Sequence, residues 1–88
     1  MTLEENFIAT AKRSLLLPQK PSPTDLQLLY GLYKQATLGD NPHEKPNNTD
    51  MVSMGKHLGW KAQKGKAKEK AMEEYIAKVE ALEAAQNS

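Results

Sequence analysis

The strongest constraint in this sequence is a helix with a clear start and stop that is apolar over more than half its circumference. Ser22 is a good N-cap, Pro23 suits the first helical position, and Asp25 stands where a box-like cap would be completed. The helix should run to about Leu38, with Gly39 as a left-handed C-cap. Along it Leu26, Leu29, Tyr30 and Tyr33 share one face, and Leu28, Leu32 and Ala36 lie to one side of that stripe. A helix with so wide an apolar arc must face two things. We read them as the rest of a bundle and, in part, a ligand groove.

Three further helices follow from the same periodicity. Thr2 and Glu5 have capping-box spacing, and Leu3, Phe7, Ala11 and Leu15 follow at four-residue steps, with Ile8 widening the stripe. Lys12 and Arg13 suit the dipole near that helix's end, and Pro18 stops the ladder, leaving residues 18–21 as a connection. Residues 40–49 contain two prolines and three asparagines and form a long loop, either a rim or lid or a solvated crossover. The third helix is expected from about Asp50 to Gln63, capped by Thr49 or Asp50. Met51, Met54, Leu58 and Ala62 form its expected core stripe, with Lys56, Trp60 and Lys64 on the other side. Gly55 and Gly59 weaken it by about 1 kcal/mol each and open the way for a neighbouring backbone or a ligand. The fourth helix, about Lys68 to Ala85, buries Met72, Tyr75, Ile76, Val79 and Leu82 and has a poor N-cap at Ala67, and the last three residues of the chain, Gln86 to Ser88, are expected to fray.

Composition bounds the function. Eighty-eight residues make one domain, 1–88, with one modest core. The absence of cysteine excludes disulfides, thiolate nucleophiles and thiolate metal sites. No apolar run is long enough to span a bilayer and no signal pattern opens the chain, so the expectation is a soluble, cytoplasmic monomer without stable membrane insertion. The formal charge is +1, yet six lysines and one acid lie between Lys56 and Lys70. A local positive field with a near-neutral total suits a small anionic ligand better than a long polyanion. Nothing in the spacing of the two histidines, His43 and His57, or of any serine or glycine, matches a catalytic or metal-ligating motif. No catalytic residue, metal or cofactor is expected.

Tyr30 and Tyr33 with Lys34 at the border of their face make a seat for something flat, anionic and partly apolar: rings to stack, hydroxyls to donate, an ammonium to pair. The competing reading is two packed tyrosines with wet tips beside a surface lysine.

The run Tyr30-x-x-Tyr33-Lys34-Gln35-Ala36-Thr37-x-Gly39-Asp40 resembles the signature of the acyl-CoA-binding proteins. Asp50 to Trp60 resembles that family's third helix and Ala71 to Val79 its fourth, while Phe7 and Pro21 fall where the family keeps a phenylalanine and a proline. The resemblance implies an all-α, four-helix bundle, up-down-down-up, with one long loop between helices 2 and 3. It implies a non-enzymatic carrier and pool former for long-chain fatty acyl-CoA, its partners being that ligand and acyl-CoA-using enzymes rather than nucleic acid. By the same resemblance Tyr33 borders the adenine, and Tyr30, Lys34, Lys56 and Tyr75 surround the 3′-phosphate. Leu26, Leu29, Met51 and Met54 are candidates to touch the acyl chain as well as core residues. Two positions depart from the pattern. Leu15 stands where many members have a basic residue reaching the phosphate, with Lys12 and Arg13 near but not on that position. His57 replaces a tryptophan, whereas Trp60 matches a second one. The alternative to the carrier is a helical module that engages a protein or nucleic acid through Lys56–Lys70.

Overall fold

The computed structural model describes residues 1–44 and 50–87. They form four helices, α1 (Leu3–Ser14), α2 (Pro23–Leu38), α3 (Met51–Lys61) and α4 (Lys68–Gln86), and no strand appears among the described residues. Each helix begins as its sequence dictates. Thr2 and Glu5 close a full capping box on α1. Ser22 Oγ accepts the Asp25 amide on α2, and Asp50 accepts the Val52 amide on α3. Ala67 offers α4 no side-chain cap. The Asp25 carboxylate does not complete a cap. It pairs with Lys78 Nζ at 2.8 Å, since an ammonium on α4 is the stronger partner. Gly39 has the expected positive φ of 84°, but its ψ of −154° is extended rather than left-handed helical, and this turns the chain straight out of α2.

Cross-helix bonds fix the helix directions. Arg13 near the end of α1 forms a two-pronged pair with Glu83 near the end of α4, so these two run together. Asp25 at the start of α2 meets the second half of α4, while Gln35 near its end donates to the Lys66 carbonyl just before α4; α2 and α4 are therefore antiparallel. Trp60 Nε1 donates to the Gly39 carbonyl at 2.7 Å, joining the ends of α3 and α2, which run the same way. The result is up-down-down-up. The helix α2 packs on both α3 and α4, and α1 packs on α4. Phe7, Leu29, Leu32, Ala36, Ala71, Tyr75, Ile76 and Val79 form the core.

The contact between α2 and α3 reverses the expected face of α3. A methyl group on Gly31 would collide with the Gly59 carbonyl, and one on Gly59 would collide with the Gln27 carbonyl. The two backbones meet at a distance that no side chain permits. This places Gly59, Trp60 and Gln63 inside and turns the expected stripe outward: Met51 is 86% exposed, Leu58 and Ala62 are exposed, and Met54 is half-buried. Apolar periodicity misleads here because glycine carries no hydrophobic signal yet allows the closest approach. On α1, Ile8 and Leu15 are likewise exposed, Leu15 at 85%. Thr10 is buried instead, its hydroxyl satisfied by the Asn6 carbonyl at 2.7 Å. Of the residues expected to fray, Gln86 ends α4 and exchanges two hydrogen bonds with the Gln19 backbone. The remaining loop positions 45–49, including Thr49 as a cap, and Ser88 lie outside the described residues.

Gly31→Ala should lower stability by about 1–3 kcal/mol through enforced separation of α2 and α3, despite alanine's better helix propensity. Urea unfolding checks this, and an unchanged or raised midpoint would contradict the close crossing. Hydrogen bonds from Lys78 to Asp25, from Gln35 to Asp40 and from Arg13 to Glu83 hold these carboxyls below their ordinary values of 3.8, 3.8 and 4.5. Lowered folded values mean that the stabilisation is full above pH ~5 and fades as pH falls through and below the ordinary carboxylate range. Thermal melts between neutral pH and pH ~2.5 should show that fall, and replacing Asp40 by asparagine should flatten part of it.

Candidate functional site

The crossing of α2 and α3 leaves a groove between their first halves, open to solvent and about 560 Å³ in volume. Leu26, Gln27 and Tyr30 form one wall, Met51, Val52 and Gly55 the other. Lys20 and Pro23 stand at the end nearest the start of α2, and Lys56 stands with Tyr30 at the opposite end. The groove is oily along its length because α3 turns its methionine and valine outward at this point. Of the residues expected to face an apolar ligand, Leu26 and Met51 line it, whereas Leu29 belongs to the core and Met54 lies outside the lining.

Cations gather at the Tyr30 end. Lys34 Nζ lies 5.7 Å from the Tyr30 ring centre and 5.6 Å from that of Trp60, and Lys56 Nζ lies 5.5 Å from Tyr30 on its other helix. Cation–π attraction of about 0.5–1 kcal/mol per contact helps hold the ammoniums over the rings. Among the described residues neither lysine pairs with a carboxylate. Two unneutralised positive charges flanking one phenol make a local field that an anion would relieve.

The expected site residues thus fall into two groups. Tyr30, Lys34 and Lys56 come together. Tyr33 and Tyr75 form a second cluster with Phe7: Tyr33 stacks on Phe7 at 5.6 Å, Tyr75 meets Phe7 edge-on at 5.2 Å, and the two tyrosine rings are 6.1 Å apart. Tyr75 is only 5% exposed and its hydroxyl donates to Ser14 Oγ at 3.3 Å, whereas Tyr33 is 42% exposed. Tyr30 and Tyr33 are three residues apart, a little under one turn, which links the two clusters on α2.

Several residues of the site carry no sequence signal of their own. Trp60 was placed away from the core by its spacing, yet it is buried, hydrogen-bonded to the α2 cap and covered by Lys34. Lys20, Gln27 and Val52 enter the groove through the helix crossing alone. Arg13, near the position of Leu15, is engaged by Glu83 at 3.0 and 3.2 Å. His57 is not a free solvated ring. Asn41 Oδ1 accepts the His43 amide, so Asn41 Nδ2 is the donor to His57 Nδ1 at 3.3 Å, and the imidazole accepts. Lys61 Nζ also caps the Asn41 carbonyl, and the His43 ring lies edge-on to Trp60. The start of the α2–α3 loop is therefore fastened to α3. No group of three or more histidines or acids among the described residues could hold a metal ion, and no helix among them is long and apolar enough to cross a membrane.

Fold and site together define a small helical protein with an oily groove closed at one end by aromatic rings and unpaired ammoniums. A family model described as acyl CoA binding protein matches residues 4–79. The chain is 46% identical over 82 residues to an acyl-CoA-binding protein of Gossypium hirsutum, covering 93% of this chain and 92% of that one. It is 49% identical over 76 residues to an acyl-CoA-binding protein of Saccharomyces cerevisiae, covering 86% and 87%. The crystal structure of acyl-CoA-binding protein 2 from Oryza sativa superposes with a TM-score of 0.90 at 43% identity, over 99% of this chain and 98% of that one. The chain belongs to the acyl-CoA-binding protein family.

Proposed function

We propose that this chain binds long-chain fatty acyl-CoA and serves as a non-enzymatic, cytoplasmic, monomeric carrier and pool former that hands its cargo to acyl-CoA-using enzymes. The whole chain, 1–88, acts as one acyl-CoA-binding domain with no cofactor of its own. The observation that carries this reading is the meeting of Tyr30, Lys34 and Lys56, unneutralised, at the end of an apolar groove. Coenzyme A brings a 3′-phosphate that is close to dianionic at neutral pH, and charge-assisted bonds from two ammoniums and a phenol suit it. The adenine stacks on or borders Tyr33, which is 42% exposed; such stacking contributes about 1–3 kcal/mol. Tyr75 braces Tyr33 directly and through Phe7.

The acyl chain takes the groove. At about 0.8 kcal/mol per buried CH₂, fifteen methylenes supply a gross gain of roughly 12 kcal/mol, much of it offset by the cost of association. Chain burial therefore sets affinity, while the head group sets identity and position. A polyanion partner for the Lys56–Lys70 segment is disfavoured by its own contacts. Lys61 is turned to Asn41, Lys66 to Gln63 and Glu74, and Lys56 to the groove, so half of its six lysines are engaged elsewhere.

Calorimetry against palmitoyl-CoA, free coenzyme A, palmitate and a short DNA duplex tests the reading. Palmitoyl-CoA should bind far more tightly than either half, and the duplex only weakly. Lys34→Ala and Tyr33→Ala should each weaken palmitoyl-CoA by about tenfold or more with the fold intact by circular dichroism. Equal affinity for palmitate and palmitoyl-CoA would remove the phosphate site from the mechanism.

A further inference from the structure

The connection after α1 holds leucines outward. Leu15 and Leu16 are 85% and 79% exposed, and Ile8, two turns before Leu15 on the same side of α1, is more than half exposed. Their backbone is not loose. The Leu15 amide donates to the Lys12 carbonyl at 3.2 Å and the Leu16 amide to the Arg13 carbonyl at 2.9 Å. Beyond Pro18, Gln19 is tied to Gln86 through both its amide and its carbonyl. A fixed turn thus presents two adjoining leucines to water, and neither belongs to the core. Apolar side chains held together in this way mark a contact surface.

The charges around them have one sign. Residues 12–20 contain Lys12, Arg13 and Lys20 and no acid. Lys12 comes four residues after Ile8 and three before Leu15, within the apolar strip. Lys12 and Lys20 are exposed, and among the described residues neither pairs with a carboxylate. Arg13 is engaged inside the protein, by Glu83 and at longer range by Glu80. Apolar tips beside free ammoniums on long stems fit the boundary of an anionic bilayer, where leucines enter the hydrocarbon edge and lysines reach back to the phosphates. A stable protein interface would need a broader apolar centre than two leucines and an isoleucine. The same connection runs on to Lys20 and Pro23, which line one end of the groove between α2 and α3.

We propose that the connection between α1 and α2, through Leu15 and Leu16 with Lys12 and Lys20, is a reversible contact surface for an anionic lipid bilayer. The contact is peripheral and crosses no part of the membrane. It brings the Lys20 end of the groove towards the surface in which free acyl-CoA dissolves. That use rests on the acyl-CoA reading above, whereas the contact itself does not.

Vesicle flotation of the full chain tests this, with phosphatidylcholine vesicles that do or do not contain about one-third phosphatidylserine, and with no acyl-CoA present. The wild type should bind the anionic vesicles more tightly than the neutral ones and lose the difference as salt rises. Leu15→Ser/Leu16→Ser should weaken binding to the anionic vesicles by about tenfold or more, and Lys12→Gln by about fivefold. Melting temperatures should not fall, because all three side chains are exposed, and Lys12→Gln keeps the test in force if the double variant does not fold. Absence of vesicle binding by the wild type, equal binding to neutral and anionic vesicles, or undiminished binding by the variants overturns the proposal. Self-association that the serine substitutions abolish, without vesicle binding, gives this face to a second copy and overturns it too. A wild type that binds vesicles but not palmitoyl-CoA upholds the contact and removes the carrier reading, and the converse removes the contact alone.

Discussion

The site depends on the close crossing of α2 and α3 at Gly31 and Gly59. Backbone packed on backbone, with the Gly59 carbonyl where a side chain on Gly31 would be, sets both the spacing and the rotation of the two helices. From that rotation the rest follows. Trp60 swings inward to bond the α2 cap, Lys56 swings to the ring of Tyr30, and Met51 and Val52 turn into the groove instead of the core. The far end of the crossing is locked by a polar knot. Asp40 accepts from Gln35 and from the Gly65 amide, and Gln35, almost wholly buried, also donates to the Lys66 carbonyl. These bonds hold the carboxyl of Asp40 in its charged form and join the ends of α2, α3 and the turn before α4.

Stability and function are thus divided between two faces of α2. Leu29, Leu32 and Ala36 face α4 and the core, while Leu26, Gln27, Tyr30 and Lys34 face α3 and the groove. A chain of 88 residues has little core to spare, and leaving an apolar groove open forgoes burial that would otherwise add stability. The long-range pairs Arg13–Glu83 and Asp25–Lys78 tie the helices on the side away from the groove, where they do not compete for the ligand's charge.

Much of the bundle was legible because local chemistry and long-range packing agree. Thr2, Ser22, Pro23 and Gly39 mark helix ends that the structure keeps, and the α4 stripe of Tyr75, Ile76 and Val79 is buried as its spacing requires. The α3 face departs from its periodicity because its apolar residues Met51 and Val52 line the groove and its closest contact with α2 is made by glycine. Periodicity assumes that hydrophobic residues seek the protein interior, and an open apolar groove breaks that assumption. Leu15 and Ile8 fail for a related reason: spacing places them on a face, but α1 turns Phe7 and Thr10 inward against α4 and the Tyr33 ring and leaves Ile8 and Leu15 exposed. Among the site residues, the joining of Lys34 and Lys56 at Tyr30 needed the resemblance to suggest it and the helix crossing to explain it. The division of Tyr33 and Tyr75 into a second cluster with Phe7 was visible only in three dimensions.

The convergence of ammoniums from α2 and α3 on one nucleotide phosphate is tested most directly by removing the phosphate and the lysines in turn. Calorimetry would compare palmitoyl-CoA with its 3′-dephospho form on the wild type and on the Lys34→Ala/Lys56→Ala double variant. In the wild type, loss of the phosphate should weaken binding by about tenfold or more, and in the double variant the two ligands should bind almost equally. An undiminished preference for the phosphorylated ligand in the double variant would contradict the convergence and move the anion site elsewhere on the protein.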